Sequence, residues 1–465
     1  MKGGLKRFSF EEGMLLEAKL NEIEFLGVPS GSLLSYQIST AADVGYSGGL
    51  KQSFLQGLIL LKYYFKFIRK SGLNKLEIKP LENTLVLLGL TANQNRLTSW
   101  ILPIYQLFES KAVVILSKDQ LPNDSIMRQV SLNSFSLTSE EEVIWKNEIL
   151  KCLPKLRNEL SVNVPIVFDR SFQFQIIINY FFQTRLVLAF NRILSQTKPK
   201  IVLVDHDRQP WNSALVLCSK IKKITTYSLI HGLTLPITVY APVLADNLLC
   251  WGEFHRKQFN KYLNPQQLID IGNFKISEIV ESKPKSLMHL GRKPRIIFAS
   301  TNFQFDQKVK LARLFLEASS ELKNVEIFFR FHPSESIDDY PFLKDEFSFC
   351  HIMTSNDMSS EDSFQFGDIF VGHNSQYLVE AYFSKLPVIV FSPKDITFPL
   401  GLFEEICDLE NMEIITNKES LERLVLDILE KGQAKVKNSN YFCSSTGLKS
   451  IESLKELLIN VLQNE

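Results

Sequence analysis

The chain has 465 residues, 45% of them hydrophobic and 22% charged, which is enough apolar mass for two or three packed domains. Lys plus Arg number 52 against 51 Asp plus Glu, so no net field draws the chain to nucleic acid or an anionic membrane, and no nucleic-acid partner is expected. The six cysteines at 152, 218, 250, 350, 407 and 443 form no CxxC pair, which argues against zinc or dithiol chemistry and fits a reducing compartment.

The basic start Met1–Arg7 leads into Phe8-Ser9-Phe10-Glu11-Glu12 without an apolar run, so no signal peptide is expected. An apolar helical pattern follows over Phe54–Ile68. Its neighbour Lys62–Lys70 interleaves four cations with Tyr63, Tyr64, Phe65 and Phe67, a surface for peripheral membrane contact or the face of a core helix. Asn83–Leu90 and Ala112–Leu116 are rich in Val, Ile and Leu and read as buried parallel strands, with Trp100–Phe108 as a crossover helix between them. Helical spacing recurs over Glu140–Leu160 and Phe172–Leu194; the second run is broken by Gln175, Asn179, Gln183, Arg185 and Asn191 and is too polar to span a bilayer.

Ile201–Val204, a helix through Ala214–Lys220 and a strand Thr225–Ile230 form a βαβ unit that stops at His231-Gly232. A strand over Asp246–Trp251 follows. The basic, Pro-bearing stretch that begins near Ser282 then reads as a linker. Beyond it a second alternation runs through strands Arg295–Ala299, Val325–Arg330, Ile369–Val371 and Val388–Phe391, with helices Lys308–Leu322 and Ser375–Ser384. The expected organisation is an N-terminal α/β domain with an extension (1–280), a linker (281–294), a C-terminal α/β domain (295–446) and a terminal helix (447–465) that packs back on the first domain.

Chemistry-bearing residues cluster at strand ends, where open α/β sheets bind ligands. Arg330-Phe331-His332-Pro333 puts an imidazole in a loop that proline keeps out of ladder and helix. There His332, with Arg330, could neutralise charge on a departing phosphate; a turn-capping histidine is the plainer reading. Gly372-His373-Asn374-Ser375 places Asn374 or Ser375 at a helix start, an anion site by its amides, with Glu380 one and a half turns on for ribose hydroxyls; an ordinary capped core helix is the alternative. Asp205-His206-Asp207-Arg208 follows Ile201–Val204, so Asp207, Asp205 or His231 is the candidate base, with Arg208 and Asn212 as candidate contacts to acceptor or donor oxygens, acceptor-binding first. A strand-end turn in which Asp205 caps the next helix competes with that reading. The same Asp-x-Asp letters spell a divalent-cation signature, but a complete second α/β unit follows, and no metal is expected.

His231-Gly232, His332-Pro333, Ser375 and Glu380-Ala381 with Leu386-Pro387-Val388-Ile389-Val390 resemble bacterial GT-B type glycosyltransferases of capsule and lipopolysaccharide synthesis. Among their relatives are sialyltransferases, Kdo transferases and teichoic-acid glycerophosphotransferases. The resemblance covers about Ile201–Phe391; the usual paired serines are Asn374-Ser375 here. It implies an α/β chain of two Rossmann-like domains facing a cleft, the N-terminal one binding the acceptor and the C-terminal one the nucleotide-sugar, with donor phosphate on His332, phosphate or a sugar carboxylate on Ser375, ribose on Glu380, and His231 at the cleft floor. The implied partners are a nucleotide-sugar donor (CMP- or UDP-sugar) as co-substrate, with no further cofactor, and a glycan or lipid-linked glycan acceptor. A cytoplasmic enzyme at the inner face of the plasma membrane is expected, transferring sugar with inversion. A hydrolysing sugar-nucleotide 2-epimerase and a non-catalytic subunit that binds nucleotide-sugar or glycan are the rival expectations.

Overall fold

The computed structural model describes residues 9–38, 86–89, 104, 113–117, 128–131, 137–163, 170–230, 232, 240–274, 291–301, 305–333, 335–354, 357–396, 403–410, 412, 414–431 and 439–464. A capped helix, Phe10–Leu20, opens it: Ser9 Oγ accepts from the Glu12 amide while the Glu12 carboxylate accepts from the Ser9 amide, a reciprocal box that satisfies two amides the helix itself leaves unpaired. A small antiparallel pair, β1 (Glu24–Phe25) and β2 (Val28–Pro29), follows.

Two parallel sheets carry the rest. The first is built from β3 (Val86–Gly89), β4 (Val113–Ser117), β5 (Arg128–Ser131), β6 (Ile201–Val204), β7 (Thr225–Leu229), β8 (Asn247–Cys250) and β9 (Leu268–Asp270), in spatial order β5-β4-β3-β6-β7-β8-β9. The second comprises β10 (Arg295–Ala299), β11 (Glu326–Arg330), β12 (Cys350–Met353), β13 (Ile369–Gly372), β14 (Val388–Phe391) and β15 (Ile414–Ile415), ordered β12-β11-β10-β13-β14-β15. Both are doubly wound, and each reverses direction once, between β3 and β6 and between β10 and β13. Central strands such as β6, β13 and β14 are buried at every residue, which is why they read as unbroken apolar runs without alternation.

The helices Ser139–Asn163 and Arg170–Thr197 lie close to their expected places. No described helix is long and apolar enough to cross a membrane. The Phe54–Ile68 helix, the Lys62–Lys70 surface and most of the 281–294 linker lie outside the described residues, as do all residues but Ile104 of the Trp100–Phe108 helix.

The two sheets share a core. Leu203, Leu249, Trp251 and Phe254 of the first half pack in one apolar cluster with Ile297, Phe370, Leu378 and Val390 of the second, and with Phe442, Leu454 and Leu458 near the C-terminus. That terminal segment, with helices Ser439–Phe442 and Gly447–Asn464, is fastened to the first half by backbone and hydroxyl bonds. The Ser444 amide donates to Trp251 O at 2.7 Å, Asn273 N to Ser445 O at 2.9 Å, and Ser450 Oγ to Ile271 O at 2.6 Å. Gly272 makes this approach possible: its φ is +77°, and a Cβ there would sit 2.1 Å from Ser445 O, a contact only glycine avoids.

Candidate functional site

The carboxyl edge of the second sheet is where the ligand crevice of a doubly wound fold lies, and three strand ends meet there. After β10, Ser300 and Thr301 reach to both sides: the Ser300 amide donates to Arg330 O at 3.0 Å, and Thr301 Oγ1 donates to His373 O at 2.6 Å. After β11, the His332 amide donates to Ser300 Oγ at 2.7 Å and to Glu335 Oε2 at 3.1 Å, while the Glu335 amide returns to His332 O at 2.9 Å. The loop is thereby closed on itself. A cavity of about 350 Å³ opens beside it, lined by Phe331, His332, Pro333, Ile337, Ile352 and Thr354 among others.

After β13 the chain turns through Asn374, whose φ is +44°, a left-handed conformation that Asn tolerates better than most side chains. Ser375 occupies the N-cap position of the helix Gln376–Phe383, but its hydroxyl makes no cap hydrogen bond; its carbonyl instead accepts from Leu378 N and Val379 N at 3.1 and 3.2 Å. The expected capping by a side chain is therefore replaced by backbone geometry. Glu380 is largely buried and accepts from Gln376 Nε2 at 3.1 Å. His373 is buried against the Phe403 ring, and burial lowers its imidazole to about 3. Arg330 points its guanidinium toward Met358 O, 3.0 Å away, and over the Tyr377 ring at 5.1 Å. Burial lowers its pKa, with Tyr377 and Asp357 acting in the opposite sense. Among the described residues its contacts hold the helix Gln376–Phe383 against β11.

The first half presents its own carboxyl edge to this one. Gly232, just past β7, lies so near the second half that an added Cβ would stand 3.1 Å from Gln376 Oε1. The neighbouring β6 loop is a buried polar bracket. Asp207, 1% exposed, accepts on Oδ2 from the Leu244 and Ala245 amides at 2.6 and 2.8 Å, and its own amide donates to Ser228 Oγ at 3.2 Å. Burial raises its carboxyl pKa, against the opposing pull of those amides and Arg208. Arg208 donates to Glu17 Oε2 at 2.9 Å, Ser35 O at 3.2 Å and Pro242 O at 2.9 Å. Asn212 Nδ2 reaches Asp205 Oδ1 at 2.9 Å and His206 O at 3.0 Å.

These bonds place the sequence candidates. Asp207, expected as base, binds two backbone amides, and Arg208, expected on the acceptor, ties the N-terminal helix to the β6 loop. Asp205 does not cap the following helix, whose N-cap is Gln209; it pairs with Asn212, itself expected on the acceptor. His231 lies outside the described residues. His332 follows β11 and Asn374-Ser375 follow β13 at the same carboxyl edge, and Glu380 lies within the helix Gln376–Phe383.

No protein-family model and no curated protein matches the chain. Solved structures do match. A wall teichoic acid polymerase, TagF, superposes with a TM-score of 0.53 at 14% identity, covering 89% of this chain and 98% of its own. The MnaA protein of S. aureus, in a co-structure with UDP, superposes at 0.52 with 12% identity, covering 81% of this chain and 97% of its own. A candidate UDP-N-acetylglucosamine 2-epimerase from Listeria monocytogenes gives 0.51 at 13% identity over 81% and 97%. The chain has the GT-B fold.

Within this GT-B frame the sequence did not single out the residues that hold the loops after β10 and β11. Ser300 and Thr301 are a polar pair directly after an apolar strand, a signal of the same kind that singled out His332. Glu335 and Lys308 had no local signal. Their side chains, 1% and 7% exposed, pair at 3.0 Å across 27 residues of chain, a buried ion pair that only tertiary packing brings together. Among the described residues no group of three or more His, Cys, Asp or Glu is arranged to hold a metal ion.

Proposed function

We propose that the protein moves a sugar from a nucleotide-activated donor, a CMP- or UDP-sugar, to a glycan acceptor of bacterial surface polysaccharide, by one inverting, metal-independent displacement on the cytoplasmic side of the membrane. The observation that carries this reading is the meeting of two carboxyl edges, with Gly232 against Gln376 at the start of the helix that leaves the second sheet's reversal point. A donor whose phosphate rests on that helix start and on His332 would present its anomeric carbon to the facing half.

In this reading the acceptor hydroxyl attacks the anomeric carbon as the nucleotide departs, and charge develops on the leaving phosphate. His332 and the amides around Ser375 stabilise that charge, and Glu380 orients the ribose end. With Asp207 and Asp205 committed to buried hydrogen bonds, the proton acceptor is His231, between Ile230 and Gly232. A related fold that binds UDP supports a nucleotide donor, and the fold shared with a teichoic acid polymerase supports a surface-polymer acceptor.

The test is nucleotide release from a panel of CMP- and UDP-sugars, with and without soluble or lipid-linked glycan acceptor, in the presence and absence of EDTA. Release that requires acceptor and survives EDTA is expected. Release of nucleotide together with free sugar when acceptor is absent would instead identify a hydrolysing 2-epimerase, a reading favoured by the candidate Listeria epimerase of the same fold. Nucleotide binding without any release would identify a non-catalytic subunit.

A further inference from the structure

The Glu335 carboxylate is a buried hub. Four donors converge on it: Ser300 Oγ, Lys308 Nζ at 3.0 Å, the His332 amide at 3.1 Å and Tyr340 Oη at 3.0 Å. A carboxylate in such a place is tolerated only because it is paired and fully hydrogen-bonded. Lys308, from the helix Phe305–Ser319, supplies the compensating charge and also reaches Asp339 at 3.3 Å. Burial raises the Tyr340 phenol, the Glu335 charge adding to the effect, so this phenol stays a donor.

The hub acts on one place in particular. The His332 amide is shared between Ser300 Oγ and Glu335 Oε2, and Ser300 Oγ itself donates to that same Glu335 oxygen. The His332 backbone is thus fixed from the β10 end and from within its own loop, with its carbonyl taken by the Glu335 amide. A loop needed only for stability has no requirement to fix the backbone of a cavity-lining histidine from two sides; a loop that must hold that residue to within a fraction of an ångström of a phosphate does.

We infer that Ser300 and Glu335, with Lys308 as charge partner, form a positioning unit that fixes His332 for contact with the phosphate of a nucleotide. The inference rests on the donor-site reading above and deepens it by assigning residues that act through His332 and do not touch the ligand.

The experiment is a double-mutant cycle on nucleotide affinity, measured by calorimetry with CMP, CDP, UDP and GDP on the full chain. His332→Ala should weaken the preferred nucleotide about tenfold, and Ser300→Ala about threefold to tenfold. The Ser300→Ala/His332→Ala protein should bind no worse than His332→Ala alone, within about twofold, because a residue that acts through His332 has nothing left to position. Tyr340→Phe, which removes one neutral donor and keeps the charge pair, should fall on the same line with a loss of about twofold. Wild-type affinity in both Ser300→Ala and Tyr340→Phe, or penalties that multiply in the double variant, would overturn the positioning unit and leave the donor site standing. Absence of binding by the wild-type protein to all four nucleotides would instead remove the donor site, and this inference with it.

Discussion

The two carboxyl edges of this molecule offer similar sequences and opposite structures. In the first half, Asp205-His206-Asp207-Arg208 follows an apolar strand and carries three ionisable groups of acid–base type, yet Asp207 and Arg208 turn to partners within their own domain. In the second half, Phe331-His332-Pro333 follows an apolar strand with a single such group, and the internal bonds there hold the backbone of His332 beside a cavity. Charge density at a strand end therefore does not by itself tell which groups the fold consumes. In the first loop the bonds claim the carboxylate and the guanidinium; in the second they claim the backbone of His332.

That contrast can be broken by mutation. Arg208→Met should cost about 3–5 kcal/mol in urea denaturation, because it leaves Glu17 buried without its partner; burial already raises the Glu17 pKa against the pull of Arg208. An unchanged unfolding midpoint with lost transfer activity would return Arg208 to the acceptor face. Gly272→Ala should cost at least about 2 kcal/mol from its left-handed backbone alone, and more from the 2.1 Å approach to Ser445 O. Loosening of the C-terminal segment, read as faster hydrogen exchange at Ser444 and Asn273, is the accompanying signature.

Acid should separate the halves less sharply. His255, in the first half, and His373, in the second, are both lowered by burial to about 3. The unfolded chain takes up a proton at each near pH 6.5, so their contribution is intact above that pH and is lost as pH falls toward 3, at about 1.4 kcal/mol per pH unit for each. The buried carboxylates Glu17 and Asp207, raised by burial, act in the opposite sense, and they cancel when two variants are compared. His255→Gln should reduce the slope of stability against pH, between about pH 6 and 4, by one proton's worth; an unaltered slope would place the acid sensitivity elsewhere. The smallest stability effect belongs to His332→Ala, within about 1 kcal/mol, although it is expected to change nucleotide binding most.

Much of the fold was legible in the sequence, for a physical reason. Central parallel strands are covered on both faces, so β6 and β14 appear as unbroken Ile, Val, Leu and Phe runs. The edge strands β5 and β12, Arg128–Ser131 and Cys350–Met353, were not legible, because an edge needs no continuous apolar run and theirs is interrupted by Arg, Gln, Ser and His. At the site, His332 and Ser375 stood out through local punctuation, proline after one strand and a polar turn after another. The Asp207 bracket did not, since the amides that claim its carboxylate lie 37 and 38 residues away. Glu335 was invisible for the same reason: its partners Ser300 and Lys308 lie 35 and 27 residues upstream, and nothing in Ser334-Glu335-Ser336 sets it apart from a solvated acidic residue.

The central claim, that the second sheet's carboxyl edge binds a nucleotide through His332, is tested most directly by thermal shift of wild type, His332→Ala and Asp207→Asn with CMP, CDP, UDP and GDP, each with and without EDTA. A ligand that binds only the folded chain raises the melting temperature, by the equivalent of about 2.7 kcal/mol at a hundredfold excess over Kd. The account predicts that one nucleotide stabilises wild type and Asp207→Asn alike, EDTA or not, and that the shift shrinks in His332→Ala. Equal shifts in wild type and His332→Ala, with the response lost in Asp207→Asn or abolished by EDTA, would move the site to the first sheet and contradict the account.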